Sequence, residues 1–267
     1  MILASPPDLA MWLSLLTAIA YAIPALVAER MGPSLAKRYL WLAWLLHGFT
    51  IGFGLLGETP RFGFAPALSV TVWWVLTAYA VETQYFPQLK ARWAMAILGS
   101  AAVLMSWQFP GQALQVSASI WLPLHWALGI ASYGMFAAAV IHAALMTSAE
   151  IDIRQGNEIQ SGLPLLTLER LTFRFVGAGF VLLSATLLAG WWFGEQLYGS
   201  GHAWRWDHKA VFSLLSWVTF AVLLIGRQRL GWRGRTAIRF LYAGSGLLLL
   251  GYVGSRFVLE VILDRTP

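Results

Sequence analysis

Residues 120–147 read IWLPLHWALGIASYGMFAAAVIHAALMT, without one lysine, arginine, aspartate or glutamate. Roughly 20 apolar residues in a helix cross the hydrocarbon core of a bilayer, and this run is long enough to tilt or to extend past it. In lipid the backbone must satisfy its own hydrogen bonds, so only helices and closed barrels span. A barrel strand would alternate apolar and polar side chains over about ten residues; this stretch does not. It predicts a membrane helix.

Working outward, seven further runs of the same kind punctuate the 267 residues: Leu9–Ala28, Tyr39–Leu56, Phe64–Glu82, Trp93–Phe109, Arg174–Phe193, His208–Ile225 and Phe240–Leu259, with Ile120–Thr147 as the fifth of eight. Turn residues divide them, as in Met31-Gly32-Pro33, Gly57-Glu58-Thr59-Pro60 and Phe109-Pro110-Gly111. The apolar fraction is 58% and the charged fraction 11%, against about 25% charge in soluble domains. The fold class expected is all-α, a polytopic bundle of about eight transmembrane helices forming a single domain over residues 1–267. Met1 to Leu9 lacks a basic leader region, so the first run is read as a retained helix.

The net charge of +6 is read as topology rather than as affinity for nucleic acid. Arg30, Lys37 and Arg38 lie between runs one and two, and Lys90 and Arg92 between three and four. Arg154, Arg170 and Arg174 lie between five and six, and Arg227, Arg229, Arg233, Arg235 and Arg239 between seven and eight. The other side has only Arg61, Arg205, Lys209, Arg256 and Arg265. This bias predicts both termini outside. Residues Ser148–Phe173 then form an inner solvated connector with one short amphipathic helix, and Gly194–Asp207 the longest outer loop. Glycines such as Gly177, Gly179, Gly244 and Gly246 are expected to serve close helix packing.

The absence of cysteine excludes disulfides, thiolate metal sites, iron–sulfur clusters and a thiol nucleophile. No metalloprotease, serine-hydrolase or phosphate-loop motif is present, so no independent catalytic motif is found. The polar signal lies in histidines and in one loop. His47 and His142 fall within runs, His125 near the start of the fifth, His202 in the outer loop and His208 at the start of the seventh. Intramembrane ionisable groups are costly and mark function by default. A neutral histidine bonded within the bundle is the plainer reading, favoured for His142. The outer loop continues Gly201-His202-Ala203-Trp204-Arg205-Trp206-Asp207-His208-Lys209. An interfacial tryptophan and a helix cap at Asp207 explain part of it. The remainder suits a flat apolar ring with an acidic edge and a metal centre. Indole faces offer area, Arg205 and Lys209 could pair with carboxylates, and imidazole ligates iron. Haem meets that description.

The loop resembles the W-G-x-x-W-x-W-D-x-K-E signature of the cytochrome c assembly family of haem-handling membrane proteins (CcsA/CcmC type). Gly201, Trp204, Trp206, Asp207 and Lys209 are in register, while Ser200, His208 and Ala210 replace the leading Trp, the Pro and the Glu. Trp121, Leu122, His125, Ser132 and Tyr133 match a second family pattern, W-L-x-x-H with S-Y following, and Leu45, Leu46 and His47 match an early L-L-H. Histidines expected near Ser255-Arg256 and Ile225-Gly226 are missing, as in a shorter, divergent YpjD-like branch.

The resemblance implies non-covalent, b-type haem held at the outer face of a bacterial inner membrane. It implies His125 as one axial ligand, with His208, or alternatively His202, as the other. His47 would be a further haem-contacting imidazole and Arg256 a propionate partner. Apocytochrome c or other assembly proteins are the implied partners beside membrane lipid. The implied role is at most a non-hydrolytic haem attachment. A divalent-metal site using His125, His202, Asp207 and His208, and a ligand-free assembly subunit of the same fold, are the alternatives.

Overall fold

The structure is a computed structural model that describes residues 9–27, 32–56, 61–86, 92–113, 121–158, 161–193 and 206–262. Among them the long elements are all helical: α1 (Leu9–Leu26), α2 (Pro33–Leu56), α3 (Phe64–Tyr85), α4 (Arg92–Gln108), α5 (Trp121–Gln155), α6 (Leu165–Trp192), α7 (His208–Leu230) and α8 (Gly234–Leu249). Seven are long and apolar enough to cross a membrane; α4 supplies a shorter apolar helix, Ala94–Gln108. The protein is therefore an integral membrane helical bundle. Its contacts gather into two compact units, Met1–Leu114 and Gln115–Pro267.

In the first unit α1 packs on α2 and α4, and α3 on α2 and α4. Hydroxyls and indoles pin these helices together. Thr17 and Thr50 share a hydrogen bond of 3.0 Å, Ser100 donates to the Ala18 carbonyl, and Trp44 Nε1 donates to Thr77 at 2.8 Å. Trp73 stacks on Trp44, with centroids 4.9 Å apart, and donates to the Trp44 carbonyl. Such bonds count where no water competes and lipid is as apolar as the core. Between α2 and α3, β1 (Arg61–Phe62) pairs antiparallel with β2 (Gln112–Ala113). Gly111 precedes β2 at φ 76°, and a Cβ there would strike the Phe62 backbone, so this position needs glycine on both counts.

In the second unit α5 and α6 make the most extensive helix pair, with α7 packed on α6 and α8 on both α5 and α7. Phe136 of α5 and Phe220 of α7 stack at 3.8 Å in the core, joined by Val176, Leu183, Leu223, Leu241 and Leu248. At one end Glu169 of α6 accepts from Arg227 of α7 at 2.7 Å, and that guanidinium lies 3.5 Å from the centre of the Phe173 ring. Gly231, at φ 65°, ends α7 in the left-handed conformation that suits a C-terminal glycine.

Two sequence expectations are corrected. The connector Ser148–Phe173 is largely helical: α5 continues to Gln155 and α6 begins at Leu165. Helix–helix packing carries both helices past the point where apolarity ends, and Asp152 is buried within the extension. Of the four glycines, Gly179 and Gly244 are packing contacts, where a Cβ would lie 3.1 Å from Phe136 and 2.9 Å from Phe220. Gly177 and Gly246 face open space.

Candidate functional site

Helix α5 presents His125 and Gly129, one turn apart, to Thr186 and Gly190 of α6. A Cβ on Gly190 would sit 3.3 Å from His125 Cε1, and one on Gly129 would sit 3.6 Å from Thr186 Cγ2. Small residues thus let the imidazole lie against the neighbouring helix. The ring also meets the Thr186 backbone. Its Nδ1 is buried and has no hydrogen-bond partner among the described residues. A buried polar atom left in this state calls for an explanation.

The same end of the second unit holds the start of α7. Asp207 caps that helix, as its sequence position led us to expect: its side chain accepts from the Ala210 N–H at 2.9 Å. Trp206, immediately before, is 71% exposed, and His208 is exposed as well. Lys209 is half-buried, its Nζ 5.8 Å from the centre of the Tyr252 ring, and the Arg256 guanidinium lies 5.9 Å from the same ring. One aromatic ring thus lies within 6 Å of two cations, an arrangement that concentrates positive charge. Gly251 permits the close approach of the α8 extension, since a Cβ there would lie 3.3 Å from Phe212 Cβ and 3.7 Å from the Lys209 carbonyl.

Beyond Leu249 the last helix widens into π-type turns at Leu250–Gly254 and Val258–Ile262, flanking Ser255–Phe257. At the first of these turns a hydroxyl from another helix is inserted. Tyr133 of α5 donates to the Leu248 carbonyl and meets the Tyr252 backbone N–H, two groups that an undisturbed α-helix would join to each other. Tyr133 thus contacts the start of the segment bearing Tyr252 and Arg256. Sequence reasoning singled out neither tyrosine for this role. The spacing of Tyr252 and Arg256, one helical turn, was the available signal. Trp191 and Trp192, beside Gly190, are 62% and 76% exposed and were also not singled out; they add indole surface at this end.

The other expected residues are placed differently. His47 lies in the first unit, fully buried, and both ring nitrogens are engaged: Nδ1 with the Tyr21 hydroxyl at 3.3 Å and Nε2 with Ser69 Oγ at 2.8 Å. Iron there would have to displace one of them. His142 is buried beside Phe175, and its Nδ1 donates to the Ala138 carbonyl of its own helix at 2.8 Å. His202, Trp204 and Arg205 lie outside the described residues. No three histidine, aspartate or glutamate side chains among the described residues gather closely enough to hold a metal ion.

Comparison with known proteins identifies the family. The profile described as Cytochrome C assembly protein matches residues 33–263. The chain is 30% identical over 200 residues to Inner membrane protein YpjD of Escherichia coli (strain K12), covering 73% of each chain. It is 23% identical over 238 residues to Cytochrome c biogenesis protein CcsA of Prochlorococcus marinus, covering 84% of this chain and 72% of that one. It is 33% identical over 94 residues to the protein of the same name from Gloeobacter violaceus, covering 35% and 27%. A family profile that spans most of the sequence, together with a relative that is similar over nearly three quarters of it, shows that the chain belongs to the cytochrome c assembly protein family.

Proposed function

We propose that the chain binds haem at the end of the second unit where α5 begins, and presents it there to an apocytochrome. The observation that carries this is His125: a half-buried imidazole whose Nδ1 is buried without a hydrogen-bond partner among the described residues, at the end of the unit that also carries exposed indoles and two cations. The residues fit the group. Neutral imidazole is an iron ligand; Lys209 and Arg256, and Arg205 of the preceding loop, suit its propionates. Trp206, with Trp204, offers apolar area to the ring. His208 would supply a second imidazole to the iron, with His202 as its alternative.

When bound, haem supplies the vinyl groups to which a partner's cysteine thiols add. The protein's own contribution is orientation. His125 would hold the iron, Lys209 and Arg256 would hold the acidic edge, and Asp207 caps α7 where it leaves the loop. The charge bias of the sequence supports a non-cytoplasmic position for this end, with both termini outside. Relatives carrying the names inner membrane protein and cytochrome c biogenesis protein support the compartment and the role.

The test is a visible spectrum of the solubilised full chain after reconstitution with haem. Wild type is expected to give a Soret band and His125→Ala to lose it. No band in the wild type, or an unchanged band in the variant, overturns the reading.

A further inference from the structure

The last helix also carries a charged strip that the core and the proposed haem site leave unused. Helix α8 buries Ala237, Leu241, Gly244 and Leu248. On its other side Arg235, Arg239, Tyr242 and Gly246 are exposed, followed by Leu249 and Leu250. Steps of three and four residues keep these positions on one face. The two arginines sit one turn apart and repel each other, and neither has a hydrogen bond or ion pair among the described residues. The carboxylate near this turn, Glu169, is occupied by Arg227 at 2.7 Å and lies 3.8 Å from Arg233. Both arginines fall in the first two turns of the candidate span Gly234–Phe257, the depth of lipid headgroups. Past Tyr242 the strip becomes apolar, and a Cβ on Gly246 would meet nothing within 4 Å.

We propose that this strip seats an acidic phospholipid. Arg235 and Arg239 hold its phosphate, the Tyr242 hydroxyl adds a donor, and one acyl chain lies along Gly246, Leu249 and Leu250. Charge complementarity selects the occupant. A guanidinium fork matches phosphate oxygens, and a zwitterionic lipid brings its own cation and gains less from two more. The proposal is independent of haem binding.

The test is native mass spectrometry of the detergent-purified full chain incubated separately with phosphatidylglycerol, phosphatidylcholine and inorganic phosphate. Two arginines near the surface should favour phosphatidylglycerol over phosphatidylcholine by roughly tenfold. R235Q/R239Q should erase the preference, while R154Q/R170Q, with the same loss of charge, should keep it. G246W should weaken phosphatidylglycerol retention without changing any charge. Equal retention of the two lipids overturns the proposal, as does an equal loss in R154Q/R170Q. Arginine-dependent capture of inorganic phosphate with no effect of G246W also overturns it, since the strip would then be an anion site and not a lipid seat.

Discussion

His47 and His125 are both imidazoles within apolar helices, and their surroundings treat them oppositely. In the first unit the ring is closed: Tyr21 and Ser69 take its two nitrogens, and no part of it is exposed. In the second the ring is half-buried, with Nδ1 buried and unbonded among the described residues. A closed imidazole ties helices together, because each of its bonds replaces one that lipid cannot offer. An open one leaves a nitrogen available to a ligand, which is the role proposed for His125. The two units differ likewise at their centres: hydroxyl and indole bonds in the first, the Phe136–Phe220 stack in the second.

The largest effect expected separates the two histidines directly. His125→Ala should remove the Soret band of the reconstituted protein, whereas His47→Ala should retain it. A band lost in His47→Ala and kept in His125→Ala would reverse the comparison. Next is Phe136→Ala, which opens a cavity against Phe220. The expected loss is about 3 kcal/mol, at the low end for buried phenylalanine, because burial from lipid leaves mainly packing to lose. Thermal denaturation of the solubilised protein measures it. His47→Ala should cost about 1–3 kcal/mol by orphaning the Tyr21 and Ser69 hydroxyls. No loss of thermal stability would show that those bonds do not hold the first unit together.

Much of this architecture was legible in the sequence, for a physical reason: a bilayer demands long apolar runs, and the runs locate the helices. Helix ends were less legible. The charges of Glu150, Asp152 and Arg154 suggested a solvated connector, yet α5 runs through all three to Gln155, because packing against α6, the next helix, outweighs local polarity. Composition likewise does not say which way a glycine faces, so Gly179 and Gly177 look alike in sequence while only the first touches Phe136. At the site, Asp207 was legible because a cap is a local feature. His125 stood out as a candidate because an ionisable group in an apolar run is conspicuous. Tyr252 and Gly190 did not, since their roles arise only when α5, α6, α7 and α8 meet.

Tyr133 tests how far the open site depends on such long-range insertion. Tyr133→Phe removes the hydroxyl from between Leu248 and Tyr252. The helix can then close its own bond, so the stability change should be small, about 1 kcal/mol. The rotation of Tyr252 and Arg256 should nonetheless change. The expected result is a shifted Soret maximum or weaker haem retention with nearly unchanged thermal stability. An unchanged spectrum would uncouple the π-type turns from the site.

The smallest effect concerns Asp207, where a local and a functional reading can be told apart. Asp207→Ala deletes the cap on Ala210 and should cost about 1 kcal/mol; Asp207→Asn keeps an accepting oxygen and should recover most of that. If the carboxylate serves only as a cap, haem retention should follow stability, falling slightly in Asp207→Ala and recovering in Asp207→Asn. If its charge also balances Lys209 and Arg256 beside the Tyr252 ring, the asparagine variant should instead bind the acidic edge of haem more tightly than wild type, because a repelling carboxylate has gone while the helix start is preserved. Haem affinities of the three proteins, read beside their melting temperatures, decide between these outcomes. A variant that recovers stability and loses haem would fit neither, and would make the Asp207 carboxylate itself a contact of the ligand.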